Sequence, residues 1–207
     1  MKYPDQIKTV KSKKEYTYKE KKSVFIAEVL PVPDKQEVEE VLKNIKKKYY
    51  DASHHCYGFK LTDGTNKSSD AGEPGGTAGA RILKAIEHFE LNNVIVIVIR
   101  YFGGVKLGTG PLGKAYYSAA YGVINNSEII IRELYQKIRI TSEFEQLNIV
   151  HKVLSVYESR IESSEYNINA ELNCLSPPKH LDAIRKELSD KGGGKIKFKH
   201  FDEYLYL

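Results

Sequence analysis

A chain of 207 residues, 41% of them hydrophobic, can bury one generous core or two small ones. Its longest apolar run, residues 94–99, is strand-length and far short of the ~18 residues that a membrane-spanning helix needs, so no membrane partner is expected. The net charge of +5 resides in residues 1–134, which hold 21 Lys and Arg against 16 Asp and Glu, whereas residues 135–207 hold 11 of each. That asymmetry fits either an anionic partner for the first part of the chain or a solvated lysine surface.

The basic start, MKYPDQIKTVKSKKEYTYK, lacks the apolar stretch of a signal peptide. Residues 15–19 and 23–30 then read as a hairpin turning at 20–22, with Val24, Phe25, Ile26 and Val29 in its second strand. Asp34 is placed to cap a helix, with Glu37 as its capping-box partner. Val38, Val41, Leu42, Ile45 and Tyr49 continue that helix as one apolar stripe. Residues 55–61 form the next strand. Residues 62–79 are polar and glycine-rich, too long for an ordinary turn, and so functional or mobile.

A second helix is expected over 80–90. The continuous β-branched run at 93–101 has the character of a strand covered on both faces. A glycine-rich loop, FGGVKLGTG, leads into a third helix over 111–123, with Pro111 at its first turn. From about Leu134 the pattern restarts: strand 135–141, helix 143–158, strands 160–163 and 167–175, helix 178–190 and strand 195–200. The order β-α-β-β-α-β is that of a split-βαβ, ferredoxin-like domain, so the expected class is α+β with domains at 1–132 and 133–207. Lys195, Lys197 and Lys199 on the last strand extend a basic surface or guard an edge.

Chemistry is to be sought in SSDAGEPGGTAG (68–79) and RYFGGVKLGTGPLGKAY (100–117), where small residues stand directly before helices. Without Cβ atoms a backbone can converge several N–H groups on one point, and a helix N-terminus adds about half a positive charge. Thr77, Gly79, Gly108 and Gly110 would line such an anion cradle, and Arg100, Lys106 and Lys114 would complete it. Tight turns and close helix–sheet packing explain the same glycines equally well.

Residues 108–114 fit G-x-x-x-x-G-K of a phosphate-binding P-loop, but Ala115 stands where the Mg²⁺-binding Ser or Thr belongs and Pro111 removes a cradling N–H. His54, Asp70 and Glu73 are the candidate acid–base groups. A hydrogen-bonding His54 and loop-capping carboxylates are the plainer alternatives. His54 and His55 point to opposite faces of a strand and cannot share one metal. Cys56 and Cys174 stand outside any Cys-x-x-Cys pair, as expected of two thiols in a reducing cytoplasm, and neither a metal nor a cofactor is expected.

Four stretches carry a family resemblance. GEPGGTAG resembles the segment S-D-D-G-E-P-S-G-T-A-G, and RYFGGVKLGTGPLGKAY the signature R-Y-F-G-G-[IV]-K-L-G-T-G-G-L-[VI]-[RK]-A-Y. KKSVFIA and HHCYGF match K-S-x-F-I-A and H-x-C-Y-A-Y. The chain thereby resembles the YigZ/IMPACT family over most of residues 15–125. It departs from the pattern at Ala71 for aspartate, Gly75 for serine, Arg81 for proline, Pro111 for glycine and Gly113 for a β-branched residue.

The resemblance implies a first domain like the second domain of a small-subunit ribosomal protein and domain IV of elongation factor G. It implies a second domain like domain V of that factor. Those proteins bind RNA or phosphates on the ribosome. Eukaryotic family members act in translational control, through protein–protein contact with a regulator of an amino-acid-starvation kinase.

Three functions follow as expectations. The first is a non-catalytic RNA- or ribosome-binding protein with Arg100, Lys106 and Lys114 on phosphates. The second is a protein-interaction regulator with an exposed apolar patch beside the glycine loops. The third is an enzyme in whose cleft His54, Asp70 and Glu73 converge. An ion pair burying Arg100 against Glu73 would return both residues to structural roles.

Overall fold

The computed structural model describes residues 3–207; Met1 and Lys2, which begin the basic N-terminal stretch, lie outside the described residues. Two compact units emerge, one of Tyr3 with Ile7–Ile131, the other of Pro4–Gln6 with Arg132–Leu207. Both are mixed α and β, with antiparallel sheets.

The first unit runs β1 (Gln6–Val10, its first residue belonging to the second unit), β2 (Lys14–Glu20), β3 (Ser23–Pro31), α1 (Lys35–Lys48), β4 (His54–Lys60), β5 (Asn66–Ser69), α2 (Gly79–His88), β6 (Val94–Tyr101) and α3 (Thr109–Asn125). Its five-stranded sheet has the order β2-β3-β6-β4-β5, each neighbour antiparallel. Residues Val94 to Ile99 of the central β6 are all fully buried, as a run of β-branched residues requires. Strand alternation sorts them. Val94, Val96 and Val98 join the core beneath α2 and α3, and Ile95, Ile97 and Ile99 the core beneath α1.

Asp34 caps α1 by accepting a hydrogen bond from the Glu37 amide at 2.9 Å. Two strands escape the sequence pattern. β1 lies in the basic N-terminal stretch, and β5 lies within the segment expected to be loop. Asn66, Lys67, Ser68 and Ser69 have no apolar member, and β5 is held at the sheet edge by its ladder to β4 alone.

The second unit runs β7 (Ile129–Ser142, its first residues belonging to the first unit), α4 (Leu147–Val156), β8 (Arg160–Tyr166), β9 (Ala170–Ser176), α5 (Leu181–Lys191) and β10 (Lys197–Tyr206). Hydrogen bonding orders these strands β10-β7-β9-β8, all antiparallel, with β1 also joined to β7. Ile138, Ile140, Leu172 and Cys174 meet Val150, Leu154, Ile184 and Leu188 of the two helices in a separate core. The β-α-β-β-α-β order read from the sequence is present. β7 and β10 are longer than their apolar cores, because ladder pairing continues past the last buried side chain.

No helix among the described residues is long and apolar enough to cross a membrane.

Candidate nucleic-acid interface

The first glycine-rich loop already contains its anion. The Asp70 carboxylate accepts hydrogen bonds from the backbone N–H groups of Gly76 in the loop and of Ala78 and Gly79 at the start of α2, at 2.8–2.9 Å. Burial alone would raise its pKa, but those three N–H groups outweigh burial and hold it below the usual carboxylate range. Thr77 is 6% exposed, and its hydroxyl donates to the Pro74 carbonyl. Thr77 and Gly79 are therefore not the anion contacts expected of them. Ala71 and Gly72 take positive φ to bring the loop round.

Arg100 requires the largest correction. Strand β6 carries it inward, where it is 5% exposed and donates to Glu73 Oε1 at 2.7 Å. Tyr116 of α3 donates to the same oxygen at 2.7 Å, and the Cys56 thiol reaches the Tyr116 hydroxyl at 3.4 Å. Burial pushes the Cys56 thiol up to about 12 and the Tyr116 hydroxyl well above its ordinary value, so neither is ionised at neutral pH.

His54 turns Nδ1 to the Ala71 carbonyl at 3.0 Å, with Nε2 3.8 Å from Glu73. His54 and Glu73 thus meet, but as parts of a buried tie between the two loops. Arg100 and Glu73 tie the loops together and Asp70 closes the first loop on itself, so all three are already engaged within the protein.

The second loop differs. From Thr109 onward the P-loop-like stretch is helix, so it cannot wrap a phosphate. Gly108 takes φ 85°, no side chain caps the start of α3, and Gly110 and Lys114 are exposed there. Lys106 and Gly108 are exposed too, but they lie in the approach to the helix and do not line the groove that follows.

That groove runs between α2 and α3 and is lined by Arg81, Lys84, Gly110, Gly113, Lys114 and Tyr117. Among the described residues no carboxylate lies within ion-pair distance of Arg81, Lys84 or Lys114. Sequence reasoning missed Arg81 and Lys84 as site residues. Their signal was a spacing of three on one helix face, opposite Lys114 on the next helix.

The model of the Impact N-terminal domain matches residues 21–124, which spans both glycine-rich loops and the groove. The IMPACT family member of Haemophilus influenzae is 30% identical over 180 residues, covering 85% of this chain and 87% of that protein. The chain belongs to the IMPACT family. IMPACT family member YvyE of Bacillus subtilis is 29% identical over 201 residues, covering 96% of this chain and 92% of the relative. A solved structure described as a hypothetical protein shares the fold, with a TM-score of 0.73 at 22% identity over 97% of this chain and 99% of that one.

Against the IMPACT pattern, two of this chain's departures touch one another. A Cβ on Gly113 would come within 3.2 Å of Arg81 Nε. Glycine at 113 thus leaves the space along α3 that the guanidinium at 81 occupies.

Proposed function

We propose that this IMPACT-family protein is a non-catalytic RNA- or ribosome-binding protein working in translation or its regulation. The observation that carries this reading is the α2–α3 groove, where three unpaired cations stand beside the uncapped start of α3. Phosphates gain from cations that need not first give up an internal partner, and the positive end of the helix adds to that field. The reading also treats the first unit as akin to domain IV of elongation factor G and the second, with its β-α-β-β-α-β order, as akin to domain V. That kinship would place both in the surroundings of ribosomal RNA.

Binding of the purified protein to ribosomes and to a short RNA, measured across a salt series, tests it. Binding should weaken with salt, and Arg81→Ala, Lys84→Ala or Lys114→Ala should each remove about 0.7 from the slope of log K against log salt. Absence of binding at low salt, or a triple variant that binds like the parent, overturns the reading.

A second reading, regulation by protein contact, is favoured by Phe102 and Val105. These are 48% and 40% exposed in the second glycine-rich loop. Salt-insensitive capture of a protein partner, lost in Phe102→Ser, would support it.

A further inference from the structure

The cationic groove continues into an aromatic one. Helices α2 and α3 run in the same direction. Arg81 lies against Gly113 at one end, and the His88 ring lies 5.4 Å from that of Tyr121 at the other. Arg81, Lys84 and His88 recur at i, i+3 and i+7 along α2, and Lys114, Tyr117 and Tyr121 do the same along α3, so each set forms one stripe.

Tyr117 borders both the cationic groove and a second hollow, which is lined by Tyr16 and Tyr18 of β2 with Tyr121, Gly122 and Asn125 of α3. Gly122 is needed there. A Cβ on it would fall 2.4 Å from the Tyr16 ring, so its absence lets that ring lie against the helix. The Tyr117 and Tyr121 ring centroids are 6.0 Å apart and the rings are tilted by 31°. All four tyrosines are half-buried, which limits their motion while leaving ring surface open. Glu20 accepts a hydrogen bond from the Tyr18 hydroxyl at 3.0 Å at this end.

We infer that this face of α2, α3 and β2 is a binding track for a single-stranded polynucleotide, with phosphates on Arg81, Lys84 and Lys114 and bases stacked on Tyr117 and Tyr121. The inference rests on the RNA-binding reading above and adds where the strand lies and in what form it is bound. Cations followed by aromatic rings along one groove match a chain that alternates anionic backbone with flat bases, and stacking tolerates any base because every base has a π-face. A duplex keeps its bases stacked on each other and offers the rings nothing. From Gly110 to Asn125 the stripe spans sixteen residues of helix, fifteen steps of about 1.5 Å or about 22 Å, enough for several nucleotides.

Fluorescence anisotropy with the full chain tests this against four twelve-unit probes: single-stranded RNA, single-stranded DNA of the same sequence, duplex RNA, and an abasic sugar–phosphate strand. Both base-bearing single strands should bind about tenfold or more tighter than the abasic strand and the duplex. A preference between RNA and DNA identifies the natural strand. Tyr117→Leu and Tyr121→Leu should each lower affinity about tenfold without changing the salt slope. Tyr117→Phe, which keeps the ring, should bind like the parent and so separates stacking from a folding defect. Equal binding of the abasic strand, or Leu variants that bind like the parent, overturns the inference while leaving the cationic reading intact. Salt-dependent binding to none of the probes overturns both.

Discussion

A carboxylate beside a glycine-rich loop can wait for a substrate or hold the loop shut, and Asp70 does the second. Its carboxylate stands where a bound phosphate would otherwise sit, on the N–H groups of Gly76, Ala78 and Gly79. Asp70→Ala should cost about 1–2 kcal/mol, read by chemical denaturation. The native pKa is depressed, so the stability it contributes is fully present above the unfolded carboxylate pKa of about 4. That contribution is lost as pH falls through the native value. The parent should therefore lose stability below about pH 4 more steeply than Asp70→Asn.

Glu73 presents a harsher case. It is almost wholly buried between Arg100 and Tyr116, and Glu73→Ala would leave a guanidinium inside the protein without its counter-charge. A loss of about 3–5 kcal/mol is expected, with RNA affinity of the remaining folded protein unchanged. A variant of full stability that had lost binding would show instead that Glu73 serves the ligand.

Among the elements, α2 and α3 differ in how their first turns are closed: the Asp70 carboxylate occupies the first, whereas no side chain caps the second, which is why the proposed RNA contact lies at the second. Glycines mark both loops, but they do different work. A Cβ on Gly79 would meet the Ser69 backbone at 2.6 Å, and one on Gly103 would meet the Lys22 carbonyl at 2.0 Å. These two allow chain to cross close to chain, and Gly103→Ala should destabilise by about 1–3 kcal/mol or more. A Cβ on Gly113 would press only on Arg81 Nε, at 3.2 Å, with Arg81 Cγ and the Thr77 carbonyl at an ordinary contact distance of 3.6 Å. Gly113→Ala should gain up to about 1 kcal/mol from helix propensity while displacing Arg81, so thermal stability rises as RNA affinity falls.

The sequence carried the elements well where burial has a period. The β6 run, the α1 stripe with its Asp34 cap and the β-α-β-β-α-β order were all legible. β5 was not, because an edge strand of four polar residues has no buried face to reveal it. The site was less legible still. Arg100 sits in the most specific motif of the chain and looks like an anion contact, yet the inward phase of β6 can be fixed only by knowing which face α2 and α3 cover. Arg81, Lys84 and Tyr117 lie on two helices that sequence separates and packing joins.

For the whole molecule, the division into two units has a measurable consequence. Urea unfolding should show two transitions if each core melts on its own. A variant beginning at residue 7 should lower only the transition of the unit that contains Arg132–Leu207. It loses the Leu134 amide bond to the Asp5 carbonyl, the Gln6 bond to Glu133 and the Tyr206 hydroxyl bond to the Pro4 carbonyl. At about 1 kcal/mol for each bond, a drop of about 2–3 kcal/mol is expected. A single transition that shifts as a whole would contradict this.

The Tyr206–Pro4 bond also sets a delay during synthesis. Its two ends are 202 residues apart. At about 5–20 residues per second, Pro4 is made some 10–40 s before its partner. Asp5 and Gln6 can meet Leu134 and Glu133 as soon as those residues are available, whereas the Pro4 carbonyl has to wait for Tyr206, so this end of the segment closes only when synthesis is almost finished.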